Sequence, residues 1–167
     1  GMTINYHHWN PFNTTRVQEL RIGEKVRKLP EGLFYCVSLA QDELVIPESV
    51  TFIGVDVLSC RGYAYNSTIS IGKLVISENV ESMERGAFGQ IAYDEVIVYA
   101  VGKEELEENY LPYKPVCGKV TIHGKSAYYD YFTTKTEADN ITLLCEAFET
   151  TYGEEYYDEK KGIFVTP

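Results

Sequence analysis

Three segments of the chain place apolar residues at the same six offsets from a leading leucine: 0, 2, 6, 9, 13 and 14. The first set is Leu20, Ile22, Val26, Leu29, Leu33 and Phe34. The second is Leu44, Ile46, Val50, Ile53, Val57 and Leu58, and the third is Leu74, Ile76, Val80, Met83, Ala87 and Phe88. Glu24, Glu48 and Glu78 share a further offset, as do Cys36 and Cys60. Such agreement without gaps marks an internal repeat, and a repeat decides the fold before any single element does. Two weaker copies, Val96-Ile97-Val98-Tyr99 and Val120-Thr121-Ile122-His123, keep only the head of the unit. The leading positions 20, 44, 74, 96 and 120 are spaced by 24, 30, 22 and 24 residues, and the long interval holds six extra residues within 61–70. Loops tolerate such additions, because each doubling of loop length costs only ~0.6 kcal/mol in closure entropy.

The head of each unit alternates apolar and outward positions with period two, which predicts a short strand with one buried face. Gly23 or Pro47 ends it, since neither favours a continued ladder. The later apolar positions must turn back beneath the strand. One unit cannot bury this face alone, whereas stacked units form a continuous core with parallel strands ~4.8 Å apart. The predicted core is Leu20, Ile22, Val26, Leu29 and Phe34 with their counterparts. The middle residue of each head then points outward. Those residues are Arg21, Val45, Val75, Ile97 and Thr121, followed two positions on by Gly23, Pro47, Ser77, Tyr99 and His123. Val45, Val75, Ile97, Tyr99, Thr121 and His123 are therefore the candidate partner-binding face, because exposed apolar strips mark contact sites. Strand propensity alone would also favour β-branched residues at these positions, and the tyrosine-rich tail would cover the strip if it folded back.

The pattern Leu-x-Ile-Pro-x-x-Val-x-x-Ile-Gly, met most fully over residues 44–60, resembles the unit of the bacterial BspA-like leucine-rich repeats. Gly54 matches the Ile-Gly step and Ala87-Phe88 the Ala-Phe step, while Leu33-Phe34, Val57-Leu58 and Gln90 depart from it. Residues 17–99 resemble the family well, and 100–125 resemble its degenerate terminal units. The resemblance implies an α/β-type solenoid: a short right-handed superhelix with a parallel β-sheet on its concave face and a mostly irregular convex side. It implies no catalytic residues, and known members are mostly surface proteins that contact other macromolecules. The expected organisation is an N-terminal cap over 1–16, a solenoid of about five coils over 17–125, and an acidic, tyrosine-rich cap over 126–167.

Composition narrows the partners. The chain has 167 residues, with 25 Asp and Glu against 15 Lys and Arg, a net charge of −10. That length suits one domain, and the charge argues against nucleic acid, whose binding rests on clustered Lys and Arg. No apolar run approaches the ~20 residues of a membrane span. Gly1 ahead of Met2 reads as a cleavage remnant before a native start, which carries no basic or apolar leader and places the chain in the cytoplasm. If Met2 is internal to a longer protein, the alternative is the cell surface or secretion. In the first cap, Ile4, Tyr6, Trp9 and Phe12 are available to cover the open first coil, and residues 103–110 predict a short helix. Around 139–152, Ile141, Leu144, Cys145, Phe148 and Tyr152 match a helix, yet Ile141, Leu143 and Cys145 match a strand. Residues 162–165 predict a closing strand.

Candidate chemistry is sparse. Four Cys without a CxxC pair and three His at 7, 8 and 123 give no zinc spacing. Cys36 and Cys60 would stack on adjacent units ~5–6 Å apart, close enough for a disulfide, although small packed thiols are the expectation. Cys117 with His123 lacks an orienting third group, and the acidic run from Glu104 to Glu108 lacks the alternating ligands of a calcium loop. No phosphate-binding or nucleophile-elbow motif occurs. Asn13, Asn66 and Asn140 begin sequons, which matter only on a glycosylated protein. The expectation is a non-catalytic protein-protein interaction module without metal or cofactor, binding an unknown protein and no small-molecule substrate. The alternatives are a structural spacer, or an acidic inhibitor or immunity-type protein that masks a basic partner.

Overall fold

A strand seals a core only where its inward residues meet like neighbours, and the repeat supplies those neighbours at fixed intervals. The computed structural model describes residues 16–59, 69–89, 91–103 and 113–144, together with the backbone of 157–158 and 163–164. In chain order the elements are β1 (Arg16–Val17), β2 (Lys28–Leu29), β3 (Ser38–Ile46), β4 (Phe52–Ile53), β5 (Ile69–Ile76), β6 (Ser82–Met83), β7 (Ala92–Val98) and β8 (Val116–His123). A short helix α1 (Tyr129–Thr133), a 3-10 turn (Ala138–Asn140), β9 (Ile141–Leu144), β10 (Tyr157–Asp158) and β11 (Ile163–Phe164) follow. The protein is thus mostly parallel β-structure with little helix, and its main sheet does not close into a barrel. That sheet has six parallel strands in the order β1-β3-β5-β7-β8-β9, and β2-β4-β6 form a second parallel sheet. β10 and β11 pair antiparallel.

The register aligns the repeat offsets residue by residue. Leu44, Leu74, Val96, Val120 and Ile141 fall in one row across the main sheet, and Ile46, Ile76, Val98 and Ile122 in another. Leu29, Ile53 and Met83 align in the second sheet. A third set of contacts links the turns: Gly32, Phe34 and Cys36 N–H donate to the carbonyls of Val55, Val57 and Ser59 at 2.8, 2.8 and 2.9 Å. Leu58 N–H donates to Ala87 O at 2.8 Å in the same way. The second and third repeats are therefore hydrogen-bonded to each other through both sheets and through the turns, which satisfies backbone groups that neither could pair alone.

The predicted core positions of the second and third repeats are all buried, from Leu44 to Leu58 and from Leu74 to Phe88. The first repeat differs. Leu29 is buried, but Leu20, Ile22, Val26 and Phe34 only pack against the core from its edge, and Leu20–Ile22 is not a strand. The reason lies in its position, since among the described residues it has a neighbouring repeat on one side only.

Two features of the units were not apparent from the heads alone. The main strands begin well upstream of the leading residue, because Ile71, Tyr93 and Cys117 are also buried, three residues before Leu74, Val96 and Val120. Inward residues three apart require the strand to turn a corner between them. At that corner Asp42 and Asp94 alternate with Gly72 and Gly118, and a Cβ on either glycine would lie 2.7 Å from the aspartate carbonyl of the preceding strand. The second feature is offset 12, where Gly32, Asp56 and Gly86 have φ of 66°, 51° and 69°. This left-handed step suits Gly, and Asp tolerates it better than most residues.

Aromatic residues at the start of the tyrosine-rich region contribute to the core. Tyr128, Tyr131 and Phe132 are buried at α1. Tyr128 OH donates to Val80 O at 2.9 Å, Phe88 N–H donates to the Tyr131 hydroxyl at 3.0 Å, and the Phe132 and Phe88 rings lie 6.4 Å apart. Residues 141–144, left undecided by spacing, are strand β9, and part of the predicted closing strand is β11. The proposed capping residues Ile4, Tyr6, Trp9 and Phe12, the helix expected over 103–110 beyond Lys103, and the extra loop over 61–68 lie outside the described residues. Among the described residues, no helix is long and apolar enough to cross a membrane.

Candidate functional site

The outer face of the main sheet follows from its register. With Leu44, Leu74, Val96 and Val120 buried, the next residue of each strand points away from the core. Val45, Val75, Ile97 and Thr121 therefore form one row, which Thr142 of β9 extends. Val45 is 42% exposed, Val75, Ile97 and Thr121 are half-buried, and Thr142 is exposed. Tyr99, just beyond β7, is also half-buried, and its N–H donates to Ile76 O at 2.9 Å. The structure thus brings together five of the six residues expected on this face. His123 is the exception and corrects the expectation: it is 3% exposed, paired with Leu144 in β9. A strand adjoining β8 and the turn that follows His123 enclose it, and the predicted head of the last unit contained no sign of either.

A second outward row, two residues upstream, was not anticipated. Glu43, Lys73, Glu95 and Lys119 stand opposite one another in successive strands, so charge alternates along the sheet. Lys73 Nζ lies 3.9 Å from Glu43 Oε2. Exposed pairs of this kind contribute roughly 0–1 kcal/mol each, so the row's main consequence is the surface it presents beside the apolar strip. The sequence did hold the signal, since each of these residues stands one place before a leading apolar position.

Cys117 is the candidate nucleophile that falls within the described residues. Cys117 is buried beneath the sheet, and burial pushes its thiol up from 9.0 to about 12, with the Thr136 hydroxyl offsetting part of the effect. A thiol held that firmly protonated is a poor nucleophile. Cys36 is disulfide-bonded, to a partner outside the described residues, which corrects the expectation of packed free thiols. The Cys36 N–H bond to Ser59 O holds this turn directly against the next, and stacking that close allows the short Cα separation a disulfide requires. Lys114, buried at the far side, donates through Nζ to Thr134 Oγ1 at 2.8 Å, and its pKa is lowered chiefly by burial. At the turns, burial raises the Glu31 pKa, and repulsion from Glu84 and Asp56 raises it further. Among the described residues, no cluster of three or more His, Cys, Asp or Glu is placed to hold a metal ion.

No protein-family profile, curated protein or solved structure matches this chain. The functional reading accordingly rests on the sheet and the rows it displays.

Proposed function

We propose that the protein is a short, right-handed solenoid of the BspA-like leucine-rich repeat kind, non-catalytic, whose main-sheet outer face binds a protein partner. The observation that carries this reading is the in-register row of Val45, Val75 and Ile97, an apolar strip on the outward side of a sheet whose other side is already a complete core. Aliphatic residues aligned across three strands stabilise one another as cross-strand pairs yet leave apolar surface open to water at Val45, and apolar surface bordered by charge is a common composition for contact sites. The adjoining row of Glu43, Lys73, Glu95 and Lys119 supplies that border and would set the partner's orientation more than its affinity. Stacked repeats commonly use their continuous sheet face for recognition.

The test replaces Val45, Val75 and Ile97 together with Lys and compares capture of partners from native lysate by mass spectrometry. A folded triple variant should lose specific partners that the wild type retains. A folded variant that captures the same proteins to the same extent would remove the outer face from consideration.

A further inference from the structure

The edge of β3 that faces the first repeat is only partly paired. β1 meets it at Ser38 and Leu39. Further along, the Gln41 carboxamide takes the place of a ladder: Oε1 accepts from Leu20 N–H at 2.8 Å, while Nε2 donates to Leu20 O at 3.1 Å and to Glu43 O at 2.8 Å. Beyond this bridge, residues 19–24 and the end of β3 enclose a cleft of about 560 Å³ that reaches Glu43, Leu44, Val45 and Pro47.

Strand geometry fixes what that edge offers. The Glu43 carbonyl points to the cleft side, where Gln41 reaches it, whereas the Ile46 carbonyl accepts from Ser77 N–H at 3.3 Å on the β5 side. Backbone groups of alternate residues face the same edge. The Val45 N–H and C=O therefore face the cleft, and no described backbone segment pairs with them there. An unpaired edge next to an open cleft is a template for an added strand.

We propose that this cleft binds an extended, Lys- or Arg-bearing peptide of a partner protein, which adds a strand to the β3 edge at Val45. The charge selects that occupant. Glu19, Glu24 and Glu43 line the cleft; Arg21 lies 2.9 Å from Glu19 and Lys73 lies 3.9 Å from Glu43, which leaves the cleft with an excess of negative charge. A second copy of this chain would bring another −10 to the same place. The cleft meets the outer face at Glu43 and Val45, but it uses the backbone edge of β3 where the outer face uses the side chains of Val75 and Ile97, so the two readings can fail separately.

The experiment uses the full chain and a fluorescein-labelled peptide of alternating Lys and Val, followed by fluorescence anisotropy at low ionic strength. Saturable binding is expected. It should weaken about tenfold or more when one of the two alternate sets of peptide amides is N-methylated, and similarly when Glu replaces the peptide lysines. Val45→Pro should have the same effect, since it removes the cleft-facing N–H at an edge position where proline is tolerated. Ile97→Ser, on the outer face, should leave peptide affinity unchanged. Absence of binding, or binding indifferent to both N-methylation sets, would overturn the proposal. So would self-association of the protein that the peptide displaces, which would assign the edge to a second copy.

Discussion

Gly86→Ala offers a direct test of why the turns repeat as they do. Gly86 occupies offset 12 with φ of 69°, where an alanine costs ~1–2 kcal/mol in left-handed backbone strain. The new Cβ would also run into the carboxyl oxygen Oδ1 of Asp56, with the Tyr113 Cβ at 3.6 Å. Asp56 cannot easily yield. It is 1% exposed, holds the equivalent left-handed position one repeat earlier, and accepts from Ser59 Oγ at 3.2 Å. Overpacking of this kind costs about 1–3 kcal/mol, and the stiffer unfolded chain returns about 0.4–1 kcal/mol. The net loss expected is about 2–4 kcal/mol, read as a lower urea midpoint with an unchanged slope in far-UV circular dichroism. In an Asp56→Gly background the overlap is gone, and Gly86→Ala should cost only about 1 kcal/mol, the backbone part alone. An unshifted midpoint for Gly86→Ala, or an equal penalty in both backgrounds, would refute the proposed stacking of turn on turn.

Three further expectations follow from the same geometry. Burial holds Cys117, Tyr93 and Tyr131 neutral above their ordinary values, so each loses its proton more readily in the unfolded chain. For Cys117 the resulting stabilisation is complete below its ordinary 9.0 and is lost as pH rises towards about 12, so the urea midpoint should fall over that interval, and a constant or rising midpoint would contradict it. Lys73→Glu would place three acids in consecutive strands at Glu43, position 73 and Glu95. It should destabilise by about 0.5–2 kcal/mol, less in high salt, and a salt-independent effect would argue against the charge row. Finally, the mass of the unreduced protein should be lower than that of the reduced protein by two hydrogens, reflecting the bonded Cys36, while Cys117 should resist thiol reagents until unfolding.

Legibility in the sequence followed from how much each position depended on its own unit. Val50, Ile53, Val80 and Met83 were readable because a repeat with neighbours on both sides buries the same offsets every time. Leu20 and Ile22 carry the same pattern yet lie at the edge, where the pattern has fewer partners and Gln41 substitutes a side chain for the ladder. The upstream halves of the long strands escaped notice because the corner breaks their period: Ile71 and Leu74 both face inward across Gly72. Burial of Tyr128 and Tyr131 depends on the carbonyl of Val80 and the amide of Phe88, groups more than forty residues away that no local spacing discloses. The outer row was legible wherever strand alternation alone decided it, as at Val45, Val75 and Ile97. It misled at His123, where the neighbouring β9 decides exposure.

The claim that matters most is that a partner sits on the outer face of the main sheet. Benzophenone-bearing residues introduced singly at positions 75 and 97, and at position 81 as an exposed control beside the second sheet, would map contact directly in native lysate. The account predicts one partner protein crosslinked strongly from 75 and 97 and not from 81. Crosslinking of a common partner from 81 with none from 75 or 97 would contradict it.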